Sequence, residues 1–368
     1  MAKNIDIKKL DVAMGFENQS EEGMDWYSVD DKPFVLDGLY YRRKGSVFRR
    51  LPQKTVISPN VDNLAWHTAG VMLRFKTDAS EIRINVSLWR NARMFHMAHV
   101  GSMGFDIYIG GGSAKFYYGS TRFDHSCDQY NVTIFKNDGE KKMREFTLHF
   151  PLYSGVEKFA IGLTEGAEVR PPSPWQDDRP VVVYGTSIQQ GGCASRPGMC
   201  HTNIMSRMLN RPFVNLAFSG SAKGEPAMAE TIAKIKNPAM IILDYDANAQ
   251  IAGLKKTLSD FIDIIRSKHP ETPILLVSKL PYAEEFHNNF QYTNDRLAYT
   301  TIHTSEIKKR RENGDKNIHF LDGTTLYGSD PSECTVDGCH ATDLGFYKIA
   351  QNMAPVIENI LTKGNNIL

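Results

Sequence analysis

The first half of the chain alternates apolar and polar residues with a period of two. Five segments show this alternation, at 71–75, 82–88, 105–109, 146–150 and 159–163. Such a pattern gives a strand one apolar face and one wet face. Glycine-rich and Asn-Asp-Gly turns separate the segments, and little helical periodicity lies between them. We therefore predict an all-β, jelly-roll-like sandwich, preceded over about 1–60 by an irregular arm with one or two strands.

The pattern changes beyond a proline-rich stretch at 165–180. Short apolar runs then alternate with segments of helical periodicity, which predicts βαβ units and a parallel sheet. The predicted strands are 181–184, 213–217, 240–245, 274–278 and 318–321, and the predicted helices are 201–209, 225–236, 253–268, 294–313 and 343–362. Because 368 residues exceed one ordinary core, we expect two domains, 1–175 and 176–368, joined by this stretch as a semi-rigid linker.

Composition and charge exclude several classes of protein. The net charge is +1 and 41% of residues are hydrophobic, so no electrostatic field for nucleic acid is expected. A basic cluster at 42–50 is expected to be a solvated strand edge. No run of about 18 apolar residues predicts a membrane span. The polar start lacks a signal peptide, which leaves the cytoplasm open, and the periplasm or the exterior if a leader has been removed.

Cysteine and histidine spacing gives no reason to expect a cofactor or a metal. The five cysteines lack metal-ligand spacing, and Cys334 and Cys339 are either bridged or free thiols. His96 and His99 form a candidate metal pair without a visible third ligand, so no metal is expected. Cys193, near a candidate serine, is expected to be a small buried residue rather than a nucleophile.

Residues 180–193 read P-V-V-V-Y-G-T-S-I-Q-Q-G-G-C and carry the first candidate for chemistry. The apolar run is typical of a strand covered on both faces, and the glycines permit a sharp turn whose amides can converge on an anion. Ser187 therefore lies at the edge of an α/β sheet where ligands bind. Taken alone, it is either a nucleophile or a residue that only satisfies turn amides.

Other predicted strand ends can supply the partners that a nucleophilic serine needs. Asp337, three residues before His340, can hold Nδ1 of that ring and leave Nε2 free to take a proton from Ser187. Alternatively, Asp337 only caps a turn and His340 is a surface residue. Gly220 follows the second predicted strand and can offer its backbone N–H, and Asn248 follows the third and can offer its amide.

These blocks, taken together, resemble the SGNH (GDSL-type) esterases and acylhydrolases. Y-G-T-S-I, F-S-G, D-A-N and D-G-C-H occur in the family's order over 180–350. Thr186, Asp246 and Ala249 depart from the family pattern, which has Asp, Gly and Asp there. The resemblance implies a flavodoxin-like three-layer α/β/α domain, and a preceding β-sandwich is similar to two-domain carbohydrate esterases.

The resemblance also implies a role for each matching residue. Ser187 would be the nucleophile, His340 the base and Asp337 the residue that orients it. The backbone N–H groups of Ser187 and Gly220 would form the oxyanion hole with the Asn248 amide.

We therefore expect a serine esterase that removes short acyl groups, acetyl in particular, from carbohydrate through an acyl-enzyme. A lipid or thioester acylhydrolase is the alternative within the class, and a non-catalytic carbohydrate-binding protein is the alternative outside it. Residues 286–294 are either a sugar-contacting loop or an ordinary connection. The β-sandwich, with aromatic residues such as Trp26 and Trp66, is expected to shape the substrate site. The sequence leaves the sugar and the oligomeric state open.

Overall fold

The structure is a computed structural model, and it describes residues 15, 18–55, 57–138, 140–286 and 294–363. Within these residues it contains fifteen β-strands and nine α-helices. The strands are β1 (Met24–Tyr27), β2 (Val35–Asp37), β3 (Met72–Thr77), β4 (Glu81–Trp89), β5 (Asp106–Ile109), β6 (Phe116–Ser120), β7 (Gln129–Lys136), β8 (Arg144–His149), β9 (Gly155–Thr164), β10 (Val169–Arg170), β11 (Val181–Gly185), β12 (Phe213–Ala217), β13 (Met240–Asp244), β14 (Ile274–Val277) and β15 (Ile318–Leu321). The helices are α1 (Pro59–Leu64), α2 (His99–Met103), α3 (Ser187–Gln190), α4 (His201–Leu209), α5 (Pro226–Ile232), α6 (Asp246–Arg266), α7 (Ala283–Phe286), α8 (Asn294–Glu312) and α9 (Asp343–Lys363).

The N-terminal region is a sandwich of two antiparallel sheets, which confirms the predicted fold class. One sheet has the order β1-β9-β4-β7, and the other has the order β10-β3-β8-β5-β6 with β2 beside β3. Apolar side chains of both sheets form one buried core, so the alternation in the sequence marks its inner faces. All five predicted segments lie in strands, except that residues 71, 105 and 150 each fall one position outside. The prediction missed β6, which is short and exposed, and β7, although Tyr130, Val132 and Ile134 alternate there and are buried.

The C-terminal region is built on a parallel five-stranded sheet in the order β12-β11-β13-β14-β15. In chain order this is 2-1-3-4-5, the flavodoxin-like arrangement, and it confirms the predicted α/β/α class. Every residue of β11, β12 and β13 is buried because helices cover both faces. Val181 and Val183 face one core, with α4 and α9, and Val182 and Tyr184 face the other, with α5, α6 and α8.

Both cores of this parallel sheet also contain side chains from the N-terminal region. Ala69, Leu152 and Tyr153 belong to one core, and Leu51 and Val61 belong to the other. The two regions therefore share buried apolar surface, and the boundary between 175 and 176 stays a prediction.

The proline-rich stretch and the basic cluster differ from expectation. β10 lies inside the predicted linker and pairs with β3, and the Trp175 ring lies 3.9 Å from the Arg74 guanidinium, so this stretch is held against the sandwich. The basic cluster at 42–50 was expected to be solvated, but Arg49 and Arg50 are only 3% and 1% exposed. The expectation was wrong for these two residues, because Arg49 pairs with Asp62 and Arg50 bonds carbonyl oxygens as far away as Asn215 and Ala217, whereas Arg43 and Lys44 are exposed as expected.

Helix α6 begins earlier than predicted, at Asp246, and is interrupted at Gln250. The backbone of Gln250 has φ 56° and ψ 173°, outside the helical region, so the first turn and the main helix are separate pieces. None of the helices in the described ranges is both long and apolar enough to cross a bilayer.

Candidate active site

Ser187 is the first residue of α3, directly beyond the end of the buried strand β11. The turn needs a glycine at 185, because a Cβ there would lie 2.8 Å from the carbonyl oxygen of Asp244. Thr186 donates hydrogen bonds from its N and Oγ1 to Oε1 of Gln189, at 2.9 and 2.7 Å. The Gln189 amide in turn donates to the Asp244 carboxyl, so the start of α3 is tied to β13. This local network holds the serine at the carboxyl edge of the sheet.

Ser187, His340 and Asp337 form a continuous chain of hydrogen bonds. Ser187 Oγ lies 2.9 Å from His340 Nε2, and His340 Nδ1 lies 2.8 Å from Asp337 Oδ2. An ionised carboxylate only accepts hydrogen bonds, so Nδ1 carries the proton and Nε2 is free to accept the one from Ser187. Asp337 Oδ1 also accepts from the amides of His340 and Cys339, at 2.7 and 3.0 Å. Because Asp337 and His340 are three residues apart, the chain between them turns around the Asp337 carboxylate, which accepts all three of these hydrogen bonds.

The pKa of Asp337 is lowered from its ordinary value. Partial burial alone would raise it, but the hydrogen bonds from the His340 side chain, the His340 amide and the Cys339 amide outweigh burial. Asp337 is consequently ionised at neutral pH. In this state it can stabilise a positive charge on His340 when the ring takes up a proton.

Gly220 and Asn248 lie beyond the ends of β12 and β13, the two strands that flank β11. Gly220 is exposed, has φ +64°, and has open space where a side chain would stand. Asn248 donates one amide hydrogen from Nδ2 to the carbonyl oxygen of Phe218 at 3.2 Å, which leaves the second hydrogen available. The neighbouring strand ends therefore bring both to the edge where Ser187 stands, and such donors can stabilise an oxyanion.

The Gln190 side chain connects the glycine block to the N-terminal region. Its Oε1 accepts from the Ser219 amide at 2.9 Å, and its Nε2 donates to Nδ1 of His67 and to the Leu152 carbonyl, both at 3.2 Å. The other His67 nitrogen lies 3.0 Å from the carbonyl oxygen of Arg90. Burial lowers the pKa of His67 to about 3, so its ring is neutral, with the proton on Nε2. Every hydrogen-bonding atom of the Gln190 amide is thus satisfied.

Arg50 provides a second connection from the N-terminal region. Its guanidinium donates to the carbonyl oxygens of His67 and Leu64 at 2.8 Å each, Asn215 at 3.1 Å and Ala217 at 2.7 Å. Burial lowers the pKa of Arg50 to about 9, which leaves the group charged at neutral pH. Because Asn215 lies in the middle of β12 and Ala217 at its end, Arg50 fixes the strand that leads into the glycine block.

A loop of the N-terminal region also reaches the Ser187 site directly. His96 Nε2 lies 3.6 Å from Asp337 Oδ2, and the His96 ring meets that of His340 edge to face, with ring centroids 5.3 Å apart. Phe95 stacks on His96 with ring centroids 4.5 Å apart, and Phe95 is 95% exposed. The sandwich therefore contributes one wall of this site.

The remaining sequence candidates lie as follows. His99 stacks on His125 at 4.1 Å between ring centroids, while His96 faces His340, so the expected pair His96 and His99 points to separate neighbours. All five cysteines are free thiols, and Cys193 is buried. Residues 287–293, most of the candidate sugar-contacting loop, lie outside the described residues.

Sequence reasoning missed the roles of Arg50, His67 and Gln190, and it paired His96 with His99 rather than with His340. Only Gln190 had a local signal, as an amide in a turn between buried segments. The other three contact residues far away in the chain, and no local pattern marks such contacts.

Comparison with known proteins adds to this geometry. A family model described as GDSL-like lipase/acylhydrolase matches residues 178–358, and a model described as the N-terminus of SGNH-hydrolase-type esterases matches residues 24–169. Comparison with curated proteins gave no match.

Several solved structures are similar over nearly the whole chain. One from Bacteroides ovatus, described as a GDSL-like lipase, is 28% identical, with a TM-score of 0.82 over 92% of this chain and 98% of its own. A salicylyl-acyltransferase from a tetracycline biosynthetic pathway is 17% identical, with a TM-score of 0.71 over 94% of this chain and 100% of its own. An acetyl xylan esterase from the rumen bacterium Butyrivibrio proteoclasticus is 13% identical, with a TM-score of 0.59 over 92% and 98%. At these identities the last two share the fold.

Proposed function

Starting from the fact that this chain belongs to the SGNH (GDSL-type) esterases, we propose that it removes short acyl groups, acetyl in particular, from carbohydrate through a serine-bound acyl-enzyme. Membership of the family makes the protein a carboxylic ester hydrolase. The observation that carries the finer proposal is the hydrogen-bond chain from Ser187 through His340 to Asp337.

In the proposed mechanism, Ser187 Oγ attacks the ester carbonyl while its proton passes to Nε2 of His340. Asp337 stabilises the imidazolium that forms. His340 then gives the proton to the leaving alcohol, and the carbon–oxygen bond to the sugar breaks. A water molecule, activated by His340, attacks the acyl-enzyme, and the acid leaves as Ser187 regains its proton.

The oxyanion of each tetrahedral intermediate is stabilised, on this proposal, by the amides of Ser187 and Gly220 and by the free hydrogen of the Asn248 amide. Donors held in place before reaction contribute more than donors that must reorganise. The bonds from Gln190 to Ser219 and from Arg50 to the end of β12 supply that preorganisation.

A sugar ester as the substrate is favoured by the surface next to His96. Phe95 offers an exposed aromatic face beside His96, which suits a sugar ring. The acetyl xylan esterase of the same fold is a precedent for the activity.

The test compares p-nitrophenyl esters of increasing acyl length, acyl-CoA thioesters and acetylated xylo-oligosaccharides as substrates of the wild type, Ser187→Ala, His340→Ala and the double variant. We expect hydrolysis of acetyl esters by the wild type and loss of most of it in each variant, without additivity in the double variant. Ser267→Ala, an exposed serine at the end of α6, is the control and should keep the wild-type rate. Wild-type rates in Ser187→Ala would contradict the mechanism, and a preference for long acyl chains or thioesters would contradict the substrate.

A further inference from the structure

Three groups that can bind a metal meet beside Ser187, although no sequence spacing marks them. Among the residues that the structure describes, His96, Cys193 and His340 each offer one ligand atom, and these atoms lie within 4.8 Å of one another. His96 comes from the N-terminal region, Cys193 from the turn after α3, and His340 from the segment before α9. The fold alone brings them together.

The arrangement of His340 is typical of a zinc-bound histidine. Its Nδ1 donates to Asp337 Oδ2 at 2.8 Å, and a carboxylate partner of this kind orients the ring and leaves Nε2 as the ligand atom. Asp337 thus lies in the position of a carboxylate that supports a metal ligand.

His96 and Cys193 complete a set that favours zinc over harder cations. The His96 side chain is 14% exposed, its ring is stacked against Phe95, and its buried Nδ1 has no hydrogen-bond partner among the described residues. Cys193 is 7% exposed. Two imidazoles and one thiolate are ligands for Zn²⁺ or Co²⁺, whereas Mg²⁺ and Ca²⁺ require oxygen ligands.

We propose that His96, Cys193 and His340 form an inhibitory site for Zn²⁺, in which the metal occupies the lone pair of His340 that would accept the proton of Ser187. Coordination releases the thiol proton of Cys193 to solvent and involves no oxidation or reduction. Ser187 Oγ, 2.9 Å from Nε2 of His340, or a water molecule completes the coordination. Chelation of the metal restores the free site.

The inhibitory effect rests on the proposed function because it requires His340 to act as the base, but metal binding does not. The experiment therefore has two readouts. The first is the thiolate-to-cobalt charge-transfer band in the near-ultraviolet spectrum of the full-length protein titrated with Co²⁺. The second is hydrolysis of p-nitrophenyl acetate at increasing Zn²⁺, with Mg²⁺ in parallel and EDTA added at the end.

Both readouts are taken on the wild type, His96→Ala and Cys193→Ala, with each rate normalised to that variant without metal. His99→Ala and Cys127→Ala are matched controls, since His99 stacks on His125 and Cys127 is exposed. We expect Zn²⁺ but not Mg²⁺ to inhibit the wild type reversibly. Loss of a supporting partner alone costs roughly 10–100-fold in metal affinity, so loss of a ligand should raise the half-inhibiting concentration by at least about tenfold. The charge-transfer band should disappear in Cys193→Ala and persist in both controls.

An unchanged band in Cys193→Ala, or equal half-inhibiting concentrations in the wild type and His96→Ala, would overturn the proposal. A protein that binds Co²⁺ through Cys193 but hydrolyses no ester would contradict the proposed function and leave the metal site standing. An active esterase that shows no thiolate-to-cobalt charge-transfer band would contradict the metal site and leave the proposed function standing. His96→Ala, at a partly exposed position, keeps the test decisive if Cys193→Ala does not fold.

Discussion

Replacement of Arg50 by methionine should destabilise the protein and slow its reaction together. Methionine fills much of the buried stem but has no donors, so the carbonyl oxygens of Leu64, His67, Asn215 and Ala217 each lose a partner. Two of these four bonds, to Asn215 and Ala217, join the N-terminal region to the parallel sheet. Loss of these bonds should therefore lower the stability of the fold and also disturb the strand that leads to the active site.

The expected magnitude follows from these four bonds. A hydrogen bond to a charged group contributes about 1.5–3 kcal/mol, so a simple sum is about 6–12 kcal/mol. Bonds that share one donor group are not additive, and removing the buried charge also removes the free energy that its desolvation costs. We therefore expect the free energy of unfolding to fall by about 3–5 kcal/mol. Contact of the Arg50 guanidinium with the Phe218 ring, 4.6 Å from its centroid, adds a smaller loss.

The free energy of unfolding is measured by urea denaturation followed by tryptophan fluorescence, with an unchanged m-value as the check that only stability differs. Below the transition, kcat for p-nitrophenyl acetate should fall about tenfold with KM nearly constant, because misplacement by 1 Å can cost about 100-fold. Arg50→Lys should have a free energy of unfolding and a kcat between those of the wild type and Arg50→Met, since lysine keeps the charge but not the planar fork of donors. Exposed Arg43→Met is the control.

A loss below about 1 kcal/mol in Arg50→Met, or a loss no larger than that of Arg43→Met, would refute this reasoning. A destabilised protein with wild-type kcat would show instead that the Arg50 clamp, the four hydrogen bonds from its guanidinium, contributes to stability alone.

Three further predictions follow from the site and its surroundings. Asn248→Ala should lower kcat by about 10²–10³ with little change in KM, because the lost bond strengthens only as the oxyanion forms; an effect confined to KM would make it a substrate-binding residue. The fragment 176–368, which lacks the N-terminal side chains that pack into both cores of the parallel sheet, should be poorly soluble or lose activity on acetylated sugars far more than on p-nitrophenyl acetate; a soluble, fully active fragment would contradict a shaping role for the sandwich. In the folded protein at about pH 8, exposed Cys127 should react rapidly with Ellman's reagent while Cys193 does not, since burial raises the pKa of Cys193 to about 12 and the thiolate is the reactive form; rapid modification of Cys193 would show that its environment is more open than the packing suggests.

Those parts of the fold that depend on short stretches of sequence could be predicted from it. The alternation in β4 reflects burial of one face of the strand, and the continuous apolar run of β11 reflects burial of both faces. Both patterns can be recognised from adjacent residues. Asp337 and His340 could likewise be paired because a turn of four residues closes within itself. Strand order then brings Ser187 to them, since parallel strands end at one edge.

Contacts between distant parts of the chain could not be predicted in this way. Arg50 lies in a basic cluster that looks solvated, and its burial is favourable only because the carbonyl oxygens of Leu64, His67, Asn215 and Ala217 converge on it. His99 is close to His96 in the sequence but stacks on His125 instead. The histidine that His96 contacts is His340, which is distant in the sequence. A strand such as β6, with exposed aromatic residues, lacks the alternation that would mark it.

The clamp formed by Arg50 also bears on when the protein becomes an enzyme during its synthesis. Its partners Asn215 and Ala217 follow 165 and 167 residues later in the chain. At about 5–20 residues per second, a ribosome needs roughly 8–33 s to make that interval. Until then the guanidinium stays hydrated, and nearby apolar residues such as Leu51 and Val61 cannot pack against the parallel sheet. His340 is made later still, so on the proposed mechanism the nascent chain cannot hydrolyse an ester before residue 340 has been added.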